Sequence, residues 1–165
     1  MRKQSGRPVD FLEEAIKRNE DRVFRAAVAI MGDKADAEDV VQDVFLKLFE
    51  KQPDFESLEH ETAWLIRVAV NLCKSRLRLH RRKKTVPLLD IYPAENDRQH
   101  DLMQTVLSLP AKYRAIIHLF YYEGYSTKEI AEITEQKEAA VRQQLTRARH
   151  MLKDFLEGEN MYERL

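Results

Sequence analysis

Apolar residues recur every three or four positions through most of this chain, a spacing that predicts amphipathic helices rather than strands. Phe11, Leu12, Ala15 and Ile16 begin one helix; Val23, Phe24, Ala27, Val28 and Met31 continue its period in a second, with a break expected at Asn19-Glu20. Gly32 stands where a left-handed residue ends a helix, and Asp33 is placed to cap the next, with Asp36 near its positive end. That helix runs to about Lys51 on a stripe of Ala37, Val40, Val41, Val44, Phe45 and Leu48. Pro53 to Thr62 reads as a loop. A long helix then carries Ala63, Trp64, Leu65, Val68, Ala69, Leu72 and Cys73. Periodicity disappears from Thr85 to Asp101, where Pro87, Pro93 and the acids Asp90, Glu95 and Asp97 predict a linker. Leu102, Val106, Leu107 and Leu109 open a second helical region. Pro110 is expected in the first turn of a helix through Tyr113, Ile116, Ile117 and Phe120, which Gly124 ends. The fold class is all-α: small helical domains over 9–84 and 102–157, joined by a short acidic linker over 85–101.

The segment from Ser126 to Lys153 carries the most specific pattern. Ser126-Thr127-Lys128-Glu129 is a capping box, opening a short helix with Ile130, Ala131 and Ile133 inward. The helix after it places Val141, Leu145, Ala148 and Leu152 on one stripe, and Arg142, Gln143, Gln144, Thr146, Arg147, Arg149 and Lys153 elsewhere. No acid occurs between Glu138 and Asp154. Two helices joined by a short turn, the second rich in groups that bond phosphates and base edges, describe a helix-turn-helix and propose duplex DNA as partner. The turn departs from the common pattern: Glu135 occupies the position that often holds a glycine to supply positive φ.

Charge changes the picture only when it is followed along the chain. The 165 residues carry 28 bases and 28 acids, a formal net charge of zero, so no overall basic surplus marks a nucleic-acid binder. From Asp33 to Glu61, however, ten acids face three lysines, a net of −7, while Lys74 to Lys84 holds seven bases and no acid. Opposite charges are therefore expected on separate helices, each free to meet its own partner. The basic run, with Lys74, Arg76 and Arg78 at its start, suits a phosphate backbone. The acidic face of Asp36, Asp39 and Asp43 would repel DNA; it either faces a basic protein or keeps a helix wet. Phe55 and Trp64 can stack on unpaired bases, though Trp64 also begins an apolar stripe, and Asn71 can bond a base edge or lie plainly on a helix surface.

Several chemistries find no support. Cys73 is the only cysteine, so no intramolecular disulfide and no cysteine-based zinc site can form, and it reads as a small core residue. The five histidines lie far apart without metal-ligand spacing, and no carboxylate pair, nucleophile–base set or phosphate loop stands out. No cofactor and no catalytic centre are expected. With no apolar run near the N-terminus and no membrane span, the chain reads as soluble and cytoplasmic.

Five stretches in this order resemble the extracytoplasmic-function group of bacterial RNA polymerase sigma factors. Asp36-Ala-Glu-Asp-Val-Val-Gln-Asp-Val-Phe-Leu-Lys-Leu-Phe49 is similar to the family's polymerase-clamp helix. Thr62-Ala-Trp-Leu-Ile-Arg-Val-Ala-Val-Asn-Leu-Cys-Lys-Ser-Arg-Leu77, followed by Arg78, resembles its promoter-melting helix. Leu109-Pro-Ala-Lys-Tyr-Arg114, Tyr125 to Ile133 and Val141 to Arg149 resemble its C-terminal domain. The resemblance implies that 9–84 is a region-two-like bundle and 102–157 a region-four-like helix-turn-helix domain. It implies that Asp36, Asp39, Gln42 and Asp43 contact the basic β′ clamp coiled-coil of core polymerase, and that the polymerase β flap is a further contact. Trp64 and Asn71 would serve the upstream part of the minus-ten element, with Lys74, Arg76 and Arg78 on its phosphates. Arg142, Gln143, Thr146, Arg147 and Arg149 would lie in the major groove of the minus-thirty-five element. The linker would pass near the polymerase active site, and an anti-sigma factor is an implied further partner. A stand-alone helix-turn-helix regulator is the alternative, which leaves the acidic helix without a role.

Overall fold

The computed structural model describes residues 8–79 and 104–163, which fall in two separate compact units. The expected linker at 85–101, together with Leu102 and the bases from Arg81 to Lys84, lies outside the described residues.

The first unit is a three-helix bundle of α1 (Pro8–Met31), α2 (Lys34–Lys51) and α3 (Leu58–Leu79), each packed against the other two. Its core is built from small and branched side chains: Ala15, Val23, Ala27, Val28, Val40, Val44, Leu48, Leu65, Ile66 and Ala69 are fully buried. Gly32 at φ 69° ends α1 with its N–H on Val28 O at 2.8 Å, and Asp33 caps α2 by accepting from the Asp36 N–H at 2.9 Å. Gln52 closes α2 in the left-handed region, φ 42°, with its N–H on Leu48 O.

The structure corrects two sequence expectations, the first through a buried network and the second through a helix cap. α1 does not break at Asn19-Glu20 but runs through as one helix of 24 residues. Asn19 is buried, and its amide donates to Ala15 O (3.0 Å) and to Glu61 Oε1 (2.8 Å) while its oxygen accepts from Thr62 Oγ1 (2.6 Å). With every polar atom matched, the amide has no reason to interrupt the helix. The segment Pro53–Thr62 is likewise only partly a loop, because α3 starts at Leu58. Ser57 caps it, its hydroxyl accepting from His60 N–H at 3.0 Å and its carbonyl from Glu61 N–H. Glu59 and Glu61 then favour the positive end of the helix dipole.

Cys73 is fully buried against α1, its Sγ 4.0 Å from Ala27 O, and burial pushes the thiol pKa up to about 12 despite nearby Arg76. At pH 8 the folded chain then holds about a thousandfold less thiolate than an ordinary cysteine. Iodoacetamide is expected to label Cys73 only after urea unfolding; rapid labelling of the folded chain at pH 8 would contradict this burial. A thiol whose folded pKa is raised contributes stability that is intact below pH 9 and is lost as pH climbs from there towards 12.

In the second unit, residues 104–108 are helical and lead to α4 (Ala111–Ile117), which continues as a π-helical turn over His118–Tyr122. Pro110 is the N-cap of α4 rather than a residue inside its first turn. Arg114 reaches back to the carbonyls of Leu107 (3.3 Å) and Leu109 (3.1 Å), closing the end of the preceding turn. The widened turn buries His118 beside Glu123, 3.3 Å apart, and stacks Tyr122 on the His118 ring. Gly124 takes φ 76° with open space around it, so the backbone angle alone accounts for the glycine there. α5 (Thr127–Thr134) and α6 (Glu138–Glu163) complete the unit, α4 and α5 both packing on α6.

Candidate nucleic-acid and protein interfaces

The helix-turn-helix forms as its residues dictate. Both halves of the capping box are made: Ser126 Oγ accepts from Glu129 N–H at 3.1 Å, and the Glu129 carboxylate accepts from Ser126 N–H at 2.7 Å. Ile130, Ala131 and Ile133 of α5 are buried with Val141, Leu145 and Ala148 of α6. Glu135 itself takes the left-handed conformation, φ 55°, in the place of a glycine. Its N–H bonds Glu132 O, and Gln136 N–H bonds Ala131 O at 3.0 Å, a full Schellman closure that satisfies the last carbonyls against a left-handed cost of about 1–2 kcal/mol for a side-chain-bearing residue. Gln144 Nε2 donates to Gln136 Oε1 at 2.7 Å and pins the same turn to α6.

Outward from that core, α6 presents Arg142, Gln143, Thr146, Arg147, Arg149 and His150, all exposed. They are not equivalent. Arg149 donates its Nε–H to Tyr121 Oη at 2.6 Å, and its guanidinium lies 5.5 Å from the Phe120 ring centre and 5.6 Å from that of Tyr121. It braces α6 to the π turn instead of extending freely. Arg142 bonds Glu138 Oε1 at 2.7 Å, and Thr127 Oγ1 donates to the same oxygen at 3.0 Å. The Thr127 bond foremost, with Arg142 adding to it, holds the Glu138 carboxyl below its usual range. Thr146 turns its hydroxyl back to Arg142 O.

On α3, Trp64, Asn71, Lys74 and Arg78 stand at three- and four-residue steps and share a face, with exposed Arg67 among them. Arg67 went unremarked in the sequence because it is a single base amid apolar residues. Phe55 packs edge-on against both Trp64 (5.8 Å) and His60 (5.5 Å), and Glu56 N–H donates to His60 Nδ1 at 3.2 Å. The loop before α3 is thus fixed on its first turns beside that face.

Arg76 does not belong there. Two residues from both Lys74 and Arg78, it points to the other side of the helix, towards α2. It forms a charge-assisted hydrogen bond with Asp43 and lies 3.9 Å from Asp39. This corrects the expectation of fully separated charge, since a base of the positive run is tied to two acids of the negative helix. The separation survives elsewhere on α2: Asp39 keeps a side chain 66% exposed and Gln42 is exposed, while Asp36 and Asp43 are half-buried.

That same α2 face carries more than acids. Asp39, Gln42, Leu46 and Phe49 follow at steps of three and four, and Leu46 and Phe49 are exposed, at 53% and 42%. Two large apolar side chains thus stand in water beside the acids on one face of α2. The periodicity had contained the clue, because neither residue fits the buried stripe. Among the described residues no group of histidine, cysteine and carboxylate side chains could hold a metal, and no helix is long and apolar enough to cross a membrane.

Comparison with known proteins matches these elements to one family. The sigma-70 region 2 profile matches residues 15–83 and the sigma-70 region 4 profile residues 99–152. The chain is 31% identical over 157 residues to the ECF RNA polymerase sigma factor SigE of Mycolicibacterium smegmatis, covering 87% of this chain and 61% of that one. It is 30% identical over 135 residues to the ECF sigma factor SigL of Mycobacterium tuberculosis, covering 74% and 76%. Among solved structures it resembles the sigma factor RpoE of Bartonella quintana, crystallised with the anti-sigma factor NepR, at a TM-score of 0.71 and 27% identity over 90% of this chain and 97% of that one. A three-helix bundle and a helix-turn-helix unit, matched in order to both regions, place this chain in the extracytoplasmic-function family of RNA polymerase sigma factors.

Proposed function

We propose that this chain directs core RNA polymerase to specific promoters and assists their opening, acting in the cytoplasm and carrying no catalytic centre of its own. In this reading Asp39, Gln42, Leu46 and Phe49, flanked by Asp36 and Asp43, dock on the basic β′ clamp coiled-coil. The α3 face of Trp64, Asn71, Lys74 and Arg78 engages the upstream minus-ten element, and the second unit, beside the β flap, sets Arg142, Gln143, Thr146 and Arg147 in the groove of the minus-thirty-five element. Arg76 and Arg149 act inside the protein, as a tie between α2 and α3 and a brace on α6. An anti-sigma factor, like the one crystallised with RpoE, would compete for these surfaces.

The observation that carries the reading is the α2 face. Exposed leucine and phenylalanine in line with aspartate suit a grip on a basic protein surface, which acids alone on a DNA-binding chain would not. Run-off transcription on a genomic library with purified core polymerase tests it: the chain should yield transcripts whose starts share two upstream elements. Arg147→Ala should weaken protection of the farther element about tenfold, the scale of one good arginine–base contact. Promoter binding that is equally tight without polymerase would instead make the chain a stand-alone regulator.

A further inference from the structure

An acid in a helix's first turn suits the positive end of its dipole, yet on a helix meant for DNA it also carries the sign of the phosphates. Glu138 is such an acid, with its side chain 38% exposed. It is not a loose surface carboxylate. Oε1 accepts from Thr127 Oγ1 at 3.0 Å, across the turn, and from Arg142 Nη2 at 2.7 Å, one helical turn on. The Thr127 bond fixes the carboxylate, and the fixed carboxylate holds one corner of a guanidinium whose side chain is 68% exposed. Lys128 is the other base acting on this carboxylate, through charge alone.

We propose that Glu138 is a positioning residue that buttresses Arg142 for reading a guanine in the upstream promoter element. Arg142 has five N–H donors and spends one on Glu138, so enough remain to meet the two major-groove acceptors of guanine, O6 and N7, together. Holding the guanidinium beforehand removes much of the freedom a long side chain otherwise loses on binding. The paired carboxylate also cancels the arginine's charge, so the pair adds little to sequence-independent attraction for phosphates while keeping its directional donors. Discrimination rises because the alternatives are weakened, not only because the correct base is favoured. The proposal rests on the reading of α6 as the groove helix.

The consequence has opposite signs on two quantities, which a merely structural role would not produce. Holoenzyme reconstituted with the full chain is titrated onto duplexes carrying each base at every position of the upstream element, and onto a scrambled duplex. Glu138→Ala is expected to cut the preference for guanine at one base pair about five- to tenfold, within the range of a single arginine–guanine contact, while binding the scrambled duplex more tightly. Arg142→Ala should erase the preference at that same base pair. Thr127→Val, which keeps the Glu138–Arg142 pair but loosens its anchor, should lower the melting temperature of the second unit and leave the scrambled duplex unchanged. Loss of affinity by Glu138→Ala uniformly across all four bases, or a preference lost at a different base pair from Arg142→Ala, overturns the proposal. If neither Arg142→Ala nor Arg147→Ala alters any base preference, the groove reading itself has failed, and with it the buttress.

Discussion

Asp39→Arg combined with Gln42→Arg is expected to abolish capture of this chain by core RNA polymerase while leaving its fold intact. Both side chains are exposed, so the native packing hardly registers the change. The Asp39–Arg76 contact that would be lost is 3.9 Å long and wet, and such pairs contribute about 1 kcal/mol or less. Against a basic partner the effect is far larger. Like charges forced together across an interface cost several kcal/mol, and about 2.7 kcal/mol already weakens binding a hundredfold. Asp43 is the wrong residue for this experiment. Its carboxylate anchors Arg76, a side chain only 25% exposed, and reversing it would mix a fold defect with the loss of docking. Anisotropy titration with purified core polymerase at physiological salt measures the effect. Capture within threefold of the parent chain would reject the α2 docking surface, whatever the second unit does.

Glu61→Ala should produce the largest loss of stability in the first unit. Glu61 is nearly solvent-free, and its carboxylate accepts from Arg18 Nε (3.2 Å), from Arg18 Nη2 on both oxygens (3.0 Å each) and from Asn19 Nδ2 (2.8 Å). Truncation strips the buried Asn19 amide of an acceptor and leaves the guanidinium facing a void. Breaking a buried pair costs about 3–5 kcal/mol, and the 35% exposure of Arg18 lets it recover some hydration, so about 2–4 kcal/mol is expected. At an m-value of about 2 kcal/mol/M that moves the urea midpoint down by about 1–2 M. Trp64 is the chain's only tryptophan and lies in the first unit, so its fluorescence follows this unit apart from the other. Glu61→Gln retains an acceptor for Asn19 and should cost about half as much. A midpoint lowered by less than 0.3 M, taken as about a tenth of a unit's typical stability, would show that the network is not needed to hold α3 on α1.

Surface acids and a buried carboxylate network are different kinds of residue, and the sequence revealed them unequally. The helix caps were legible because capping is local: Asp33, Gly32 and the Ser126–Glu129 box act within four residues, and each forms as its pattern requires. The buried stripes were legible too, since helical period and hydrophobicity together set which side faces inward. Ser57 was missed because its cap is followed by acids that resemble loop composition. Asn19 was misread as a break because an amide in mid-helix is tolerated only when distant partners satisfy it, and those partners lie more than forty residues away.

The candidate interfaces divide along the same line. Leu46 and Phe49 were available to sequence reasoning, being apolar residues outside the stripe that the period defines. Arg76 was partly available, because its phase opposes that of Lys74 and Arg78. That it pairs with Asp43 was not. Nor was the clasp of Thr127, Glu138 and Arg142, or the hold of Tyr121 on Arg149. By itself the sequence determined the all-α class, the order of its helices, the helix-turn-helix and the family, though not every helix boundary, since period, capping and motif are properties of neighbours along the chain. Only the tertiary structure decided which charged side chains stay available and which are bound within the protein, because an ion pair depends on the distance between elements that local spacing does not encode.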